Sequence, residues 1–166
     1  MPQELGGVAA AYHDGQLYAI GGRDGRDGSG NYSNYKATVN RLDLGTGKWH
    51  AREPLPKPTA FGRALKVDIG WGEYGILFCG GQRADVPVHD CWLYDIRNNR
   101  WQRTASLNHP RVLFGLVSCG GGIYALGGFD ATGRVLDSIE RLGLFGWRLL
   151  PAKLPIAKFA LEVGCF

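Results

Sequence analysis

No apolar run in these 166 residues approaches the 18 or more that a membrane-spanning helix needs. No segment shows the 3.6-residue apolar period of an amphipathic helix either. The opening Met1-Pro-Gln-Glu-Leu5 lacks a basic stretch followed by an apolar core, so no secretory signal is expected there. Cysteine is scarce: Cys79, Cys91, Cys119 and Cys165 form no CxxC pair and have no metal-ligand spacing. Cys79 stands where sister segments carry Ile20 and Leu126, so it reads as a small buried hydrophobe, and a reducing, cytoplasmic compartment is the expectation. The net charge is only +4, and the 13 arginines are scattered singly through the chain. Nucleic-acid binding wants basic residues clustered on one face, so no nucleic-acid partner is expected, and no membrane partner.

Glycine and tryptophan, by contrast, recur with a period. Gln16-Leu-Tyr-Ala-Ile-Gly21-Gly22, Tyr74-Gly-Ile-Leu-Phe-Cys-Gly80-Gly81 and Gly122-Ile-Tyr-Ala-Leu-Gly127-Gly128 are apolar runs of strand length, each closed by a diglycine. A tryptophan follows each of them: Trp49, Trp101 and Trp147. The diglycines lie 59 and then 47 residues apart, the tryptophans 52 and then 46. A period near 50 residues identifies one supersecondary unit repeated along nearly the whole chain.

In the first unit, Val8–His13 and Gln16–Ile20 flank Asp14-Gly15, a type I′ hairpin signal because both central residues need positive φ. Thr38–Leu44 is a third strand, Gly45-Thr-Gly-Lys48 a turn and Trp49–Arg52 a short fourth strand. Pro54, Pro56 and Pro58 end the unit, because proline cannot donate to a ladder. The second unit repeats the order with Phe61–Asp68, Gly75–Cys79, Cys91–Asp95 and Trp101–Arg103, and the third with Phe114–Ser118, Ile123–Leu126, Ser138–Leu142 and Trp147–Leu149. The prediction is all-β, built of four-stranded antiparallel sheets.

These residues carry a family resemblance. An apolar run ending in Gly-Gly, followed by an aromatic or apolar residue shortly before a Trp, resembles the Kelch motif. Leu42 and Leu142 stand where a Kelch repeat usually has Tyr, and the last turn of the third repeat is shorter. The resemblance implies a partial Kelch-type β-propeller with blades at 6–56, 57–107 and 108–155, and the first strand of a fourth at 156–166. Gly21, Gly22, Gly80, Gly81, Gly127 and Gly128 would be structural, as would Trp49, Trp101 and Trp147 in packing between blades. Three blades do not close a ring of four to eight. The chain is therefore expected to be a segment of a longer protein, or to close its ring by self-association.

Specificity on a repeat scaffold resides on loops. The resemblance places the post-diglycine loops and the inter-blade segments on one rim, where Kelch domains bind partners. The outlier is Arg23–Tyr35, longer than its counterparts and offering Arg23, Asp24, Arg26, Asp27, Asn31, Tyr32, Asn34 and Tyr35. Arg and Tyr make good binding anchors because each joins a large contact area to a polar handle. The rest of the expected rim is Arg83, Asp85, His89, His109, Arg111, Asp130 and Arg134. A calcium reading of Asp24, Asp27 and Asn31 fails because ligands in such loops alternate at every second position. Asp85 and His89 match two of the three iron ligands of plant specifier proteins, but Gly81 stands where the glutamate belongs. The four histidines, His13, His50, His89 and His109, hold unrelated positions in their repeats, unlike the converging ligands of copper radical oxidases. The expected function is a protein- or peptide-binding module without cofactor, metal or catalytic residues, beside a ubiquitin-ligase adaptor for instance. The alternative is the partial propeller of an enzyme acting on a sugar or small metabolite.

Overall fold

The structure, a computed structural model, describes residues 5–25, 34–161 and 164. Three four-stranded antiparallel sheets follow one another along the chain, with no helix among the described residues. The first holds β1 (Ala9–His13), β2 (Gln16–Ile20), β3 (Val39–Asp43) and β4 (Lys48–Ala51) in that order. In the second, β5 (Arg63–Gly70) pairs with β6 (Glu73–Cys79), β6 with β9 (Cys91–Asp95) and β9 with β10 (Arg100–Thr104). Between β6 and β9 a small hairpin, β7 (Gln82–Arg83) with β8 (Val86–Pro87), rises from the post-diglycine loop. The third holds β11 (Gly115–Cys119), β12 (Gly122–Leu126), β13 (Ser138–Gly143) and β14 (Gly146–Lys153). The first strands of the three sheets, β1, β5 and β11, lie against one another, so each sheet is a blade radiating from a shared axis.

Blade two is buried on both faces, and its strands show it. Along β6, Ile76 and Phe78 join a core with Ala9, Ala11, Tyr18, Ile20 and Val39 of blade one. The alternate residues Leu77 and Cys79 join a second core with Phe114, Leu116, Ala125 and Trp147 of blade three. A period-2 strand with both faces covered needs an uninterrupted apolar run, and Ile76-Leu-Phe-Cys79 supplies one.

The same alternation explains the tryptophans. Cross-strand pairing lines up Ile76–Tyr94–Trp101 in blade two and Ile123–Leu142–Trp147 in blade three. The first row packs on blade one and the second on blade two. Trp147 is 7% exposed, whereas Trp101 is half-buried, its ring 4.9 Å from Tyr94 and 6.4 Å edge-on to Phe78. Its indole N–H donates to the Glu53 carbonyl of blade one at 2.9 Å. In blade one the equivalent row is Leu17–Leu42–Trp49, which faces away from blade two and is only partly buried. Trp101→Ala should cost about 3 kcal/mol, the low end for deleting a packed Trp, because part of the ring is wet. Urea denaturation of the variant checks this, and a loss below about 1 kcal/mol would deny the ring its role between blades.

The diglycines have a common geometry. The second glycine of each pair donates its N–H to the carbonyl of the segment entering the next blade: Gly22 to Thr59 at 2.9 Å, Gly81 to Arg111 at 2.8 Å and Gly128 to Lys158 at 2.8 Å. The backbone must pass so close there that a β-carbon on Gly80 would lie 2.7 Å from the Arg111 carbonyl oxygen, and one on Gly127 2.5 Å from that of Lys158. Two residues beyond each accepting carbonyl, Phe61, Leu113 and Ala160 all have positive φ, at 56°, 54° and 54°. Residues 156–161 form no strand, yet they enter with this same turn, as the segments before β5 and β11 do.

The cysteine reading needs correction. Cys79 and Cys91 are opposite one another in the β6–β9 register and are joined by a disulfide, with Cα atoms 4.2 Å apart. Cys119 is disulfide-bonded as well. Cys79 is buried as expected, but as half of a cross-link rather than as a free thiol. Cysteines paired in this way give no support to the expected reducing compartment.

Candidate binding rim

Antiparallel connectivity puts two kinds of connection at one end of every blade: the loop after the diglycine and the segment leading to the next blade. The hairpin turns between first and second strands, and between third and fourth, lie at the other end. His13 and Tyr74, beside two of those turns, pack with their rings tilted at 41° and centroids 5.0 Å apart, so the blades point the same way.

At the rim, loops from blades one and two are tied together. The Tyr35 hydroxyl donates to Asp85 Oδ1 at 2.8 Å and accepts from Gln82 Nε2 at 2.8 Å and from the Asp85 backbone N–H at 3.1 Å. Arg23 Nη1 is 3.3 Å from the same Asp85 oxygen, and its guanidinium lies 4.7 Å above the Phe61 ring. Arg23 also forms isolated bridges with Gly6 and Tyr35. The long loop is thus anchored at both ends of the stretch 26–33, on the hairpin of the next blade. That hairpin turns through Ala84 and Asp85, both with positive φ (46° and 59°), the conformation a two-residue type I′ turn demands. Arg26, Asp27, Asn31 and Tyr32 lie outside the described residues. Asp24 pairs with Lys36 at 2.8 Å, and Asn34 is exposed, its carbonyl accepting from the Asp24 N–H at 3.3 Å.

The other expected rim residues divide sharply. His89 and His109 are exposed, as is Arg134. Asp130 caps its own turn, accepting from the Thr132 backbone at 2.8 Å, the Thr132 hydroxyl at 2.7 Å and the Arg134 backbone at 3.0 Å. The Thr132 hydroxyl bond is the main reason its carboxyl stays below the usual range. Arg83 forms an ion pair with Asp90. Burial pushes the Asp90 carboxyl up, but the hydrogen bond and charge of Arg83, with Lys57 and Arg103 behind it, bring it below the ordinary value.

Arg111 is the exception, because it is not at the surface at all. Its side chain is completely buried against an equally buried Glu140, with Nε at 3.1 Å and Nη2 at 3.0 Å from Oε1. Nη1 donates to the Gly127 carbonyl at 2.8 Å and Nη2 to the Ser138 hydroxyl at 2.8 Å. Burial lowers the Arg111 pKa against the opposing pull of the Glu140 charge. This arginine therefore locks blade three to its entry segment and offers nothing to a partner.

Sequence reasoning missed the opposite end. Trp71, at the tip of the β5–β6 turn, is fully exposed, as are Leu144 and Phe145 at the tip of β13–β14. Among the described residues no group of three His, Cys, Asp or Glu side chains is placed to hold a metal ion.

The family described as Kelch motif matches residues 5–56 and 110–142, together about half of the chain. Mouse Kelch-like protein 26 is 34% identical over 101 residues, 52% of this chain and 16% of that protein. The Arabidopsis thaliana F-box/kelch-repeat protein SKIP11 is 30% identical over 106 residues, 63% of this chain and 22% of its own length. Human Kelch repeat and BTB domain-containing protein 8 is 33% identical over 125 residues, 69% of this chain and 20% of its own length. The chain spans about a fifth of the length of the curated relatives it matches.

Proposed function

The chain belongs to the Kelch-repeat family, and from that premise we propose that it is a binding module whose rim captures a protein or peptide segment. The observation that carries this reading is the anchored rim, where Arg23, Tyr35, Gln82 and Asp85 fix loops of two blades into one surface. Residues tied together before binding lose less entropy on association than free ones would. Relatives named for F-box and BTB domains support a role as the recognition part of a larger assembly, of the ubiquitin-ligase adaptor kind. The partly bare row Leu17–Leu42–Trp49 supports a further blade on that face, from the same polypeptide or from a second copy.

A displayed random-peptide library tests the module. The wild-type protein should enrich peptides, and the rim variant H89A/H109A/R134A, altered at three exposed side chains, should lose them while keeping its thermal midpoint within a few degrees. The variant W71A/F145A, altered at the opposite end, should retain them. Retention by the rim variant with loss by W71A/F145A would move the binding surface to the turn tips and overturn the rim assignment.

A further inference from the structure

Among the described residues, six hairpin turns lie at the end opposite the rim, and they are of two kinds. Asp14-Gly15, Gly45-Thr-Gly47, Asn98-Asn99 and Gly120-Gly121 are the polar or small residues that turns favour. Trp71 at β5–β6 and Leu144-Phe145 at β13–β14 are not, and all three side chains are fully exposed. Leu44, more than half exposed beside Gly45, adds an apolar residue from blade one. Every blade therefore presents an apolar residue at the same end. Trp71 stands on the axis side of blade two and Phe145 on the outer strands of blade three.

Folding gives no reason for these side chains. Trp71 has a φ of 57°, a conformation in which a bulky residue is strained, and its exposed ring packs on nothing that would offset the strain. Turn chemistry would place Gly or Asn there, as it does at Gly121 (φ 72°) and Asn99 (φ 51°).

The surroundings of the tips select their partner. Gly70 and Gly72 flank Trp71, and Gly143 and Gly146 flank Leu144-Phe145, so each tip stands clear of neighbouring side chains. A hot spot for a protein partner works from within a ring of contacts that keeps water out. A lipid bilayer needs no such ring, because headgroups and acyl chains close around a protruding apolar side chain. A flat surface also meets tips on three blades at once. The Trp ring, apolar with one polar N–H, suits the headgroup boundary. The Asp68 carboxylate accepts from the Gly70 N–H at 2.7 Å, so that turn brings one unpaired donor fewer to the boundary. The expectation of no membrane partner rests on a missing span and a missing basic face, and interfacial insertion of side chains needs neither.

We propose that Trp71, Leu144 and Phe145 dock this end of the blades on a lipid bilayer, inserting shallowly at its interface and leaving the rim turned to solvent. The inference is independent of peptide capture, which belongs to the opposite end.

Flotation of the whole chain with phosphatidylcholine vesicles tests it. The wild-type protein should rise with the vesicles, and the bound fraction of W71A/L144S/F145S should fall at least about fivefold. The thermal midpoint of that variant should stay within a few degrees of wild type, because none of the three side chains is packed. W71F keeps an apolar ring, so it should still float. Bromine-labelled acyl chains should quench part of the wild-type tryptophan emission and none of that from W71F. Wild-type protein left below the vesicles, flotation that survives the triple substitution, or quenching that persists in W71F would overturn the proposal.

Discussion

Gly81→Val should cost the fold about 3–5 kcal/mol, a large share of the roughly 5–15 kcal/mol that holds a domain of this size. Two separate penalties meet at this residue. Its φ of +91° is a conformation that a β-branched residue does not tolerate. A β-carbon there would also lie 2.5 Å from the Ala60 carbonyl oxygen and 2.6 Å from the Gly62 nitrogen, both backbone atoms that cannot swing aside. Gly121→Ala separates the two effects, because Gly121 has φ +72° but open space around it. That variant should lose only about 1 kcal/mol, the conformational part alone. Urea midpoints for both variants check the pair. Equal losses would mean that close approach contributes nothing, and an unchanged Gly81→Val would remove the physical reason for the diglycine.

What the sequence discloses, and what it hides, follows from the range of the interaction involved. The diglycines and the Trp rows are legible because every blade solves the same packing problem with the same local residues, so the solution repeats. In every blade the pairing of first with second strand, and of third with fourth, needs only adjacent segments and short turns. The Cys79–Cys91 bond is a different matter, since it depends on the register of two strands separated by the β7–β8 hairpin. That hairpin itself went unseen because its turn residues are Ala84 and Asp85, not the Asn-Gly or Asp-Gly that announce a type I′ turn. Arg111 shows the limit most clearly. An arginine between proline and valine on an inter-blade segment reads as a surface cation, and only the third dimension brings Glu140 to it. The Arg23–Tyr35–Asp85 contacts likewise span two blades. They give three of the residues expected to meet a partner an intramolecular role first.

Glu140→Leu should destabilise the protein by about 4 kcal/mol, since removing one member of a buried ion pair leaves the other charged, dry and alone. The Glu140 carboxylate satisfies more than Arg111. Oε2 also accepts from the Asn108 backbone N–H at 2.7 Å and from its side-chain amide at 2.8 Å, and Oε1 accepts from the His109 N–H at 3.2 Å. One side chain of blade three therefore gathers the whole segment that leads in from blade two. Arg111→Met alone should cost less, about 3 kcal/mol, because the carboxylate keeps its bonds to Asn108 and His109. In the double variant R111M/E140L the orphaned guanidinium is gone, and part of the loss should return. Full recovery is not expected, because the Asn108 and His109 N–H groups still lack an acceptor. The double-mutant cycle should show a coupling of at least about 1 kcal/mol between the two positions. Chemical denaturation of all four proteins measures it, and strictly additive losses would mean that Arg111 and Glu140 stabilise blade three independently of each other.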